Sequence, residues 1–213
     1  MEIISHRGLW KSEEEKNTIL AFENSFKNGF GTETDLRDYK GELVISHDIA
    51  NENCITATHF FEIYKSFPIQ STLALNIKAD GLQKKLSCLL KKHEIKNYFV
   101  FDMSIPDTLG YLKHNLSFYT RQSEYELNPS LYEESKGIWL DCFEKIWFKA
   151  ELINNHISKT KKVAFVSPDL HKRDPHDFWL FLKENKFDES NKLILCTDLP
   201  SEAKSYFNSN TIV

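Results

Sequence analysis

Short apolar runs recur along the chain and alternate with stretches of helical periodicity. A strand followed by a helix and another strand is typical of parallel strands joined by crossover helices. Eight such runs predict one α/β domain over residues 1–213, a (β/α)8 TIM barrel, with an open doubly wound sheet as the alternative. The runs are "EIIS" (2–5), "TETDL" (32–36), "LALNI" (73–77), "YFVFDM" (98–103), "SFYTR" (117–121), "GIWLDCF" (137–143), "KVAFVS" (162–167) and "KLILCTD" (192–198).

The stretches between these runs show the spacing of amphipathic helices. In residues 17–29, for example, Ile19, Leu20, Phe22 and Phe26 recur at helical spacing, and Gly29 is placed as a C-cap. Similar segments follow at 79–94, 105–115, 149–160, 174–186 and 200–208. Strand followed by helix, repeated eight times, is therefore the expected order.

One segment departs from this order. The pair Lys40-Gly41 separates the β-prone residues 32–36 from "LVISHD" at 43–48. A short turn containing glycine between two such runs is typical of a β-hairpin. We therefore expect a small β-hairpin insertion after the second strand, which would bring His47 back toward Glu33 and Asp35.

Composition argues against several classes of partner. The net charge is -4, whereas nucleic-acid-binding proteins are usually basic, so no nucleic-acid partner is expected. No run of about 18 apolar residues occurs, which predicts no stable membrane insertion. The first residues lack the features of a signal peptide, and the four cysteines are scattered as free thiols, so a cytoplasmic location is expected. No pattern fixes an oligomeric state.

Polar side chains suited to chemistry fall near the ends of the first two predicted strands. His6 and Arg7 follow the first strand, and Glu33 and Asp35 lie near the end of the second. In barrels, functional groups lie at the C-terminal ends of strands. The i, i+2 spacing puts both carboxylates on one face, where they repel each other unless a cation neutralises them. Mg²⁺ or Ca²⁺ is the natural partner of such oxygens. The alternative is that Glu33 and Asp35 bind no metal and simply lie on a strand face exposed to solvent.

Two histidines, His6 and His47, are suited to acid–base catalysis, because one imidazole can accept a proton while the other donates one. The alternative is a pair of structural histidines. Arg7 and Lys78 could bind a phosphate, Arg7 through its planar fork and Lys78 as a point charge, or could form ordinary salt bridges. Histidines in helical stretches, such as His156, are expected at the surface.

The first 48 residues carry a longer pattern. Its pieces are His6-Arg7-Gly8, Asn17-Thr18, Ala21-Phe22, Gly29, Glu33-x-Asp35 and His47-Asp48, in this order. The pattern resembles the N-terminal signature of the glycerophosphodiester phosphodiesterase family, whose members belong to a superfamily of TIM-barrel phosphodiesterases. The segment "LALNIK" at 73–78 is similar to the family's third-strand L-E-I-K, and "CTDLP" at 196–200 is similar to its closing T-D-x-P.

The resemblance implies a TIM barrel, a bound Mg²⁺ or Ca²⁺, and hydrolysis of a small-molecule phosphodiester of lipid metabolism that carries a glycerol-like alcohol. One histidine would deprotonate a substrate hydroxyl beside the phosphate, and that hydroxyl would attack phosphorus. The other would protonate the leaving alcohol, and water would open the resulting cyclic phosphate. The residues it assigns are the acid–base pair His6 and His47, the metal ligands Glu33 and Asp35, and the phosphate contacts Arg7 and Lys78.

Two positions depart from the family pattern. The family usually has glutamate before Asn-Thr, where this chain has Lys16. The glutamate of L-E-I-K, usually a third metal ligand, is Asn76, which can coordinate only through a neutral carbonyl oxygen. Asp102 after the fourth strand, or Asp141 after the sixth, could supply the missing charge. Arg121 after the fifth strand is a further candidate for a phosphate contact.

Three functions fit these observations. The first is a metal-dependent phosphodiesterase that yields an alcohol and a phosphomonoester. The second is a catalytically silent barrel that binds a phosphorylated polyol, with Asn76 marking a lost metal site. The third is a phosphodiester lyase that stops at the cyclic phosphate. Retention of both histidines favours an enzyme, and the sequence does not name the alcohols on either side of the phosphate.

Overall fold

The computed structural model describes residues 1–68 and 70–209, in which strands and helices alternate along most of the chain. The strands are β1 (Glu2–His6), β2 (Gly31–Tyr39), β3 (Glu42–Ile45), β4 (Leu73–Ile77), β5 (Tyr98–Phe101), β6 (Tyr119–Gln122), β7 (Gly137–Leu140), β8 (Lys162–Val166) and β9 (Leu193–Thr197). The α-helices are α1 (Ile19–Lys27), α2 (Ala57–Ser66), α3 (Gln83–Lys92), α4 (Ile105–Lys113), α5 (Ala150–Ser158), α6 (His176–Glu184) and α7 (Pro200–Asn208).

The chain divides into two compact units, which we call the N-terminal unit (His6–Tyr119) and the C-terminal unit (residues 1–5 together with the chain from Thr120 onward). In the N-terminal unit, β2, β4 and β5 pair in parallel, and β3 pairs with β2 in antiparallel fashion. In the C-terminal unit, β1, β9, β8 and β7 pair in parallel, and β6 lies next to β7. The expected fold class, an α/β TIM barrel, is confirmed, and the single-domain assignment stays a prediction.

Strand β5 is not the free edge that an open doubly wound sheet would leave. Val100 of β5 forms a parallel bridge with Phe118, and its N–H donates to the Ser117 carbonyl at 2.9 Å. Both partners directly precede β6. A parallel neighbour on this side of β5 is what a barrel requires, so the open-sheet alternative is excluded.

Helix α2 was not predicted, although its sequence carries the signal. Ala57, Phe60, Phe61 and Tyr64 follow the i, i+3, i+4, i+7 spacing and are all buried. Thr56 caps the helix by accepting a hydrogen bond from the third helical N–H group. The aromatic face packs on α1, where the Phe22 and Phe60 ring centroids, for example, lie 4.6 Å apart.

The expected eightfold strand–helix order is wrong at one place. No α-helix occurs in residues 123–136, between β6 and β7, within the part of the chain described. Two side chains of β6 instead hold the loop, because the Thr120 hydroxyl donates to the Ser130 carbonyl at 2.7 Å and the Gln122 amide donates to the Leu127 carbonyl at 2.9 Å. Pro129, which lacks an N–H, lies in this loop and disfavours a continuous helix.

His156 is buried in the C-terminal unit, so its expected surface position is wrong. Its Nε2 lies 2.9 Å from Gln122 Oε1 and its Nδ1 lies 2.8 Å from the Tyr132 hydroxyl. The Gln122 amide nitrogen is used elsewhere, so its oxygen accepts from His156 Nε2–H and the Tyr132 hydroxyl donates to Nδ1. Burial, with a smaller effect of Lys159, lowers the pKa of His156 to about 4. The ring is therefore neutral near pH 7.

The helices bear on the expectation that the chain does not insert into a membrane. Among the helices in residues 1–68 and 70–209, none combines the length and the apolar character needed to cross a bilayer.

Candidate active site

A strained turn after β1 places the first functional side chain. Arg7 and Gly8 have φ angles of +59° and +89°. The Arg7 N–H donates to the Glu33 carbonyl and the Gly8 N–H donates to Thr32 Oγ1, both at 2.9 Å. A Cβ atom at position 8 would lie 2.6 Å from Ala21 Cβ, so only glycine fits. Arg7 and Gly8 are therefore fixed against β2 and α1 within the N-terminal unit.

Asp35 on β2 is the centre of a charge cluster. Its carboxylate is fully buried and lies 3.0 Å from Arg7 Nε and 3.6 Å from Lys78 Nζ. Asn17 Nδ2 also donates to Asp35 Oδ2 at 2.9 Å. The Thr34 hydroxyl donates to Asn17 Oδ1 at 2.8 Å, which orients this amide. Asp35 thus faces two cations and one fixed amide.

Glu33 shares the buried face of β2, as the i, i+2 spacing predicted. Burial, helped by the charge of Asp35, raises the pKa of Glu33 to about 8. Arg7, Lys78 and a hydrogen bond from the Asn76 side chain act in the opposite direction, but they are weaker. A cation bound beside Glu33 would oppose this shift, because a nearby positive charge favours the charged form of a carboxyl group.

His6 and Asp102 extend the cluster on two sides. His6 Nε2 lies 3.8 Å from Glu33 Oε2, and the Trp10 indole donates to the His6 carbonyl at 2.9 Å. Asp102 directly follows β5, has a φ angle of +73°, and lies 3.6 Å from Lys78 Nζ. These contacts bring His6 and side chains from the ends of β2, β4 and β5 into one cluster within the N-terminal unit.

Three buried oxygens of this cluster have no hydrogen-bond donor among the described residues: Glu33 Oε2, Asp35 Oδ1 and Asn76 Oδ1. Asp35 and Asn76 are direct partners in the β2–β4 register. Oxygen donors of this type fit a hard divalent cation. No group of three or more His, Cys, Asp or Glu side chains in the described ranges is placed to hold a metal. The residues therefore fit a cation only if the neutral Asn76 takes part.

His47 lies at a cavity of about 730 Å³ in the N-terminal unit, which Arg7 and Asn17 also line. Its side chain is 45% exposed, and its Nδ1 contacts Asp48 Oδ1 at 2.9 Å. The Arg37 guanidinium donates to the His47 carbonyl from Nε at 3.2 Å and from Nη2 at 3.1 Å. The antiparallel β2–β3 pair thus carries one predicted histidine to the same cavity as the predicted phosphate-binding arginine.

The two remaining candidates lie in the C-terminal unit and have partners there. Arg121 Nε lies 3.3 Å from Glu126 Oε2. Asp141 Oδ1 lies 2.7 Å from His171 Nε2 and accepts a hydrogen bond from the Cys142 N–H. Two roles stay predictions: Arg121 as a phosphate contact and Asp141 as a metal ligand.

The position of Asn17 as a partner of Asp35 was not predicted. Sequence gave only its place in the Asn-Thr pair, where Thr18 caps α1. Asn17 has a φ angle of +60°, in the left-handed region that asparagine tolerates better than most residues. That preference is the one local signal that could have singled it out.

Comparisons with known proteins agree on the fold. No family model matches the sequence, and no curated protein matches it. A candidate glycerophosphodiester phosphodiesterase from Galdieria sulphuraria has a similar structure, with a TM-score of 0.77, 16% identity and 98% of each chain covered. The glycerophosphodiester phosphodiesterase from Agrobacterium tumefaciens str. C58 gives a TM-score of 0.73 and 14% identity, covering 96% of this chain and 99% of that one.

A third similar structure is the glycerophosphoryl diester phosphodiesterase from Parabacteroides distasonis ATCC 8503, with a TM-score of 0.71 and 15% identity. The match covers 100% of this chain and 87% of that one. At these identities the likeness shows a shared fold. The class that the fold defines is an α/β barrel of the kind found in glycerophosphodiester phosphodiesterases.

Proposed function

We propose that the chain is a metal-dependent phosphodiester hydrolase that cleaves a glycerophosphodiester-like substrate to an alcohol and a phosphomonoester. The observation that carries this proposal is the cluster of Arg7, Asp35 and Lys78 beside the unsatisfied buried oxygens of Glu33 and Asn76. Such a cluster offers both cations for a phosphate and oxygens for a metal. The similar structures with this fold are described as phosphodiesterases of this type.

Glu33, Asp35 and Asn76 would hold the metal, Mg²⁺ or Ca²⁺, which would supply stabilisation of negative charge on the phosphoryl oxygens. With one neutral ligand among three, the protein provides less negative charge than three carboxylates would. Asp102 could supply further negative charge, but it lies against Lys78 and would have to leave that partner.

Arg7 and Lys78 would bind the phosphate. Asp35 faces the Nε side of the Arg7 guanidinium, and a guanidinium has further N–H groups that can form paired hydrogen bonds to phosphate oxygens. The ion pair of Asp35 at Nε would therefore orient the guanidinium and leave its other N–H groups for the phosphate. Lys78, held between Asp35 and Asp102, would add a point charge.

His6 and His47 would transfer the protons. The Asp48 carboxylate at His47 Nδ1 favours a proton on that nitrogen and leaves Nε2 for exchange with the substrate. One histidine takes the proton of a substrate hydroxyl as its oxygen bonds to phosphorus and the bond to the leaving alcohol breaks. The other gives its proton to the leaving oxygen. Water then opens the cyclic phosphate with the roles of the two histidines reversed.

The test is turnover of a panel of glycerophosphodiesters with Mg²⁺, with Ca²⁺ and with a chelator, followed by ³¹P NMR. We expect a phosphomonoester and loss of turnover with the chelator. Accumulation of a cyclic phosphate would instead identify a lyase. Absence of cleavage with either metal would refute the proposal.

A second function, a barrel that binds a phosphorylated polyol without cleaving it, has one observation in its favour. Asp35 already faces two cations of the protein, which a metal ligand would not need. Calorimetric titration with glycerol phosphate distinguishes this case. Binding unaffected by divalent ions, with no cleavage of any diester, would support the binder.

A further inference from the structure

The cavity beside Arg7 and His47 has an apolar wall. Ile19, Leu20 and Ile49 all line it, with exposed fractions of 38%, 54% and 88%. Single exposed apolar residues are common on protein surfaces, but several around one concave site indicate a binding surface. The three exposed side chains come from two elements, the start of α1 and the loop after β3, and line the same cavity.

A buried isoleucine of β3 also lines this cavity. Ile45, at the end of β3, is buried, and its N–H donates to the Ile55 carbonyl at 2.8 Å; both residues line the same cavity. The α1 side is fixed by Thr18, whose hydroxyl accepts from the Ala21 N–H at 3.3 Å. The wall is therefore formed by regular elements and their caps rather than by one loop alone.

Glu13 and Lys16, which line the cavity, do not favour a ligand with a cationic headgroup. Lys16 Nζ lies 3.6 Å from Glu13 Oε2 and 4.4 Å from the centre of the Trp10 ring. Glu13 therefore already has Lys16 as its counter-charge, and Lys16 also occupies one face of the Trp10 ring. A quaternary ammonium group would have to displace Lys16 from this aromatic ring.

We propose that this cavity is a subsite for one hydrocarbon chain, so that the preferred substrate is a phosphodiester carrying a single apolar chain. The inference rests on the proposed function, because it places the phosphate at Arg7. Arg7 and the exposed apolar side chains line the same cavity, and a cation beside apolar surface matches the two parts of such a molecule. The volume of about 730 Å³ lies within the range of about 300–1,000 Å³ that is usual for ligand sites.

Binding tests the subsite without requiring turnover. Glycerophospho-n-alkyl diesters with chains of two, four and six carbons are titrated calorimetrically in the presence of a chelator. A fully buried methylene corresponds to about a fourfold gain and a half-buried one to about a twofold gain, so four added methylenes should tighten binding about tenfold or more. A second arm uses 1-acyl-glycerophosphocholines of matched chain length, below their micelle concentrations, and shows whether the chain enters from the alcohol or from the glycerol side.

Two matched substitutions give the control. Leu20→Gln should remove much of the chain-length dependence, whereas Leu109→Gln, on α4 and 55% exposed but not part of the cavity wall, should leave it unchanged. Ile49→Ser and Ile105→Ser repeat the comparison with a second pair. Leu20 and Leu109 are exposed to nearly the same fraction, 54% and 55%, so general loss of surface hydrophobicity is matched in that pair.

The outcomes separate the two proposals. Chain-length-dependent binding without cleavage of any diester would refute the hydrolase and keep the subsite. Cleavage of glycerophosphodiesters with no dependence on chain length would refute the subsite and keep the hydrolase. A dependence seen only above the micelle concentration, or an equal loss in Leu20→Gln and Leu109→Gln, would also overturn the subsite.

Discussion

Replacing Asp35 by asparagine is the most direct test of the charge cluster. The substitution keeps the size of the side chain and can retain the hydrogen bond from Asn17, but it removes the carboxylate that lies 3.0 Å from Arg7 Nε and 3.6 Å from Lys78 Nζ. We expect the folded state to lose stability because two cations then lack their shared counter-charge. In a metal-binding protein, the same change also removes a ligand.

The magnitude follows from the surroundings of the two cations. Removal of one partner from a buried ion pair typically costs about 3–5 kcal/mol. The Arg7 and Lys78 side chains are 19% and 18% exposed, so water offsets part of this cost, and Lys78 keeps Asp102 at 3.6 Å. We therefore expect Asp35→Asn to lower the free energy of unfolding by about 2–3 kcal/mol, near or below the lower end of that range.

The assay is urea unfolding at pH 7 without divalent ions, in a double-mutant cycle with Lys78→Met. In the Lys78→Met background, Asp35→Asn should cost about 1 kcal/mol less, because one of its two cationic partners is gone. Addition of Mg²⁺ should raise the melting temperature of the wild type and not that of Asp35→Asn. Wild-type stability of Asp35→Asn, or equal costs in both backgrounds, would refute the inferred cluster.

Three further outcomes are expected. His6→Ala and His47→Ala should each lower kcat by roughly 10²–10⁴ with an unchanged circular dichroism spectrum, measured at saturating substrate; full activity in either would rule out that imidazole as a catalyst. Between pH 7 and pH 5, His156 should lower the free energy of unfolding by about 2 kcal/mol. The reason is that His156 takes up its proton at the ordinary pKa of 6.5 in the unfolded chain but only near 4 in the folded one. In urea titrations, His156→Gln should lack this part of the dependence of the unfolding free energy on pH. Gly8→Ala should lower the free energy of unfolding by about 2–4 kcal/mol, through backbone strain and overlap of the new Cβ with α1. The control is Gly29→Ala, where φ is also positive, +79°, but nothing lies within 4 Å of the added Cβ, so it should cost only about 1–2 kcal/mol. Equal costs for the two substitutions would show that the overlap at position 8 is relieved.

Much of the candidate site could be read from the first 48 residues. Glu33 and Asp35 lie on one buried face of β2, as two carboxylates at i, i+2 spacing in a strand must. Gly8 follows β1 because the chain there passes too close to α1 for any side chain. The spacing of the two carboxylates was predictable because it is a local property of a strand, whereas the close approach of Gly8 to α1 is a tertiary contact.

The partners of these residues were not predictable in the same way. Lys78 was expected at a phosphate, yet its position between Asp35 and Asp102 depends on three strands meeting in one register. His156 looked like a surface histidine on an amphipathic helix, but Gln122 and Tyr132 cover it. Such contacts join residues that are distant in sequence, and no local pattern encodes them.

By itself, the sequence determined the positions of the strands, the fold class and the residues that carry the family resemblance, because hydrophobic periodicity and turn chemistry act over a few neighbouring residues. Only the tertiary structure decided that three buried oxygens on β2 and β4 lack donors among the residues described, that Arg7 and His47 line one cavity, and that the start of α1 adds apolar side chains to it. The physical reason is that burial and charge pairing depend on which strand ends lie side by side, and strand pairing is settled only when the whole unit packs.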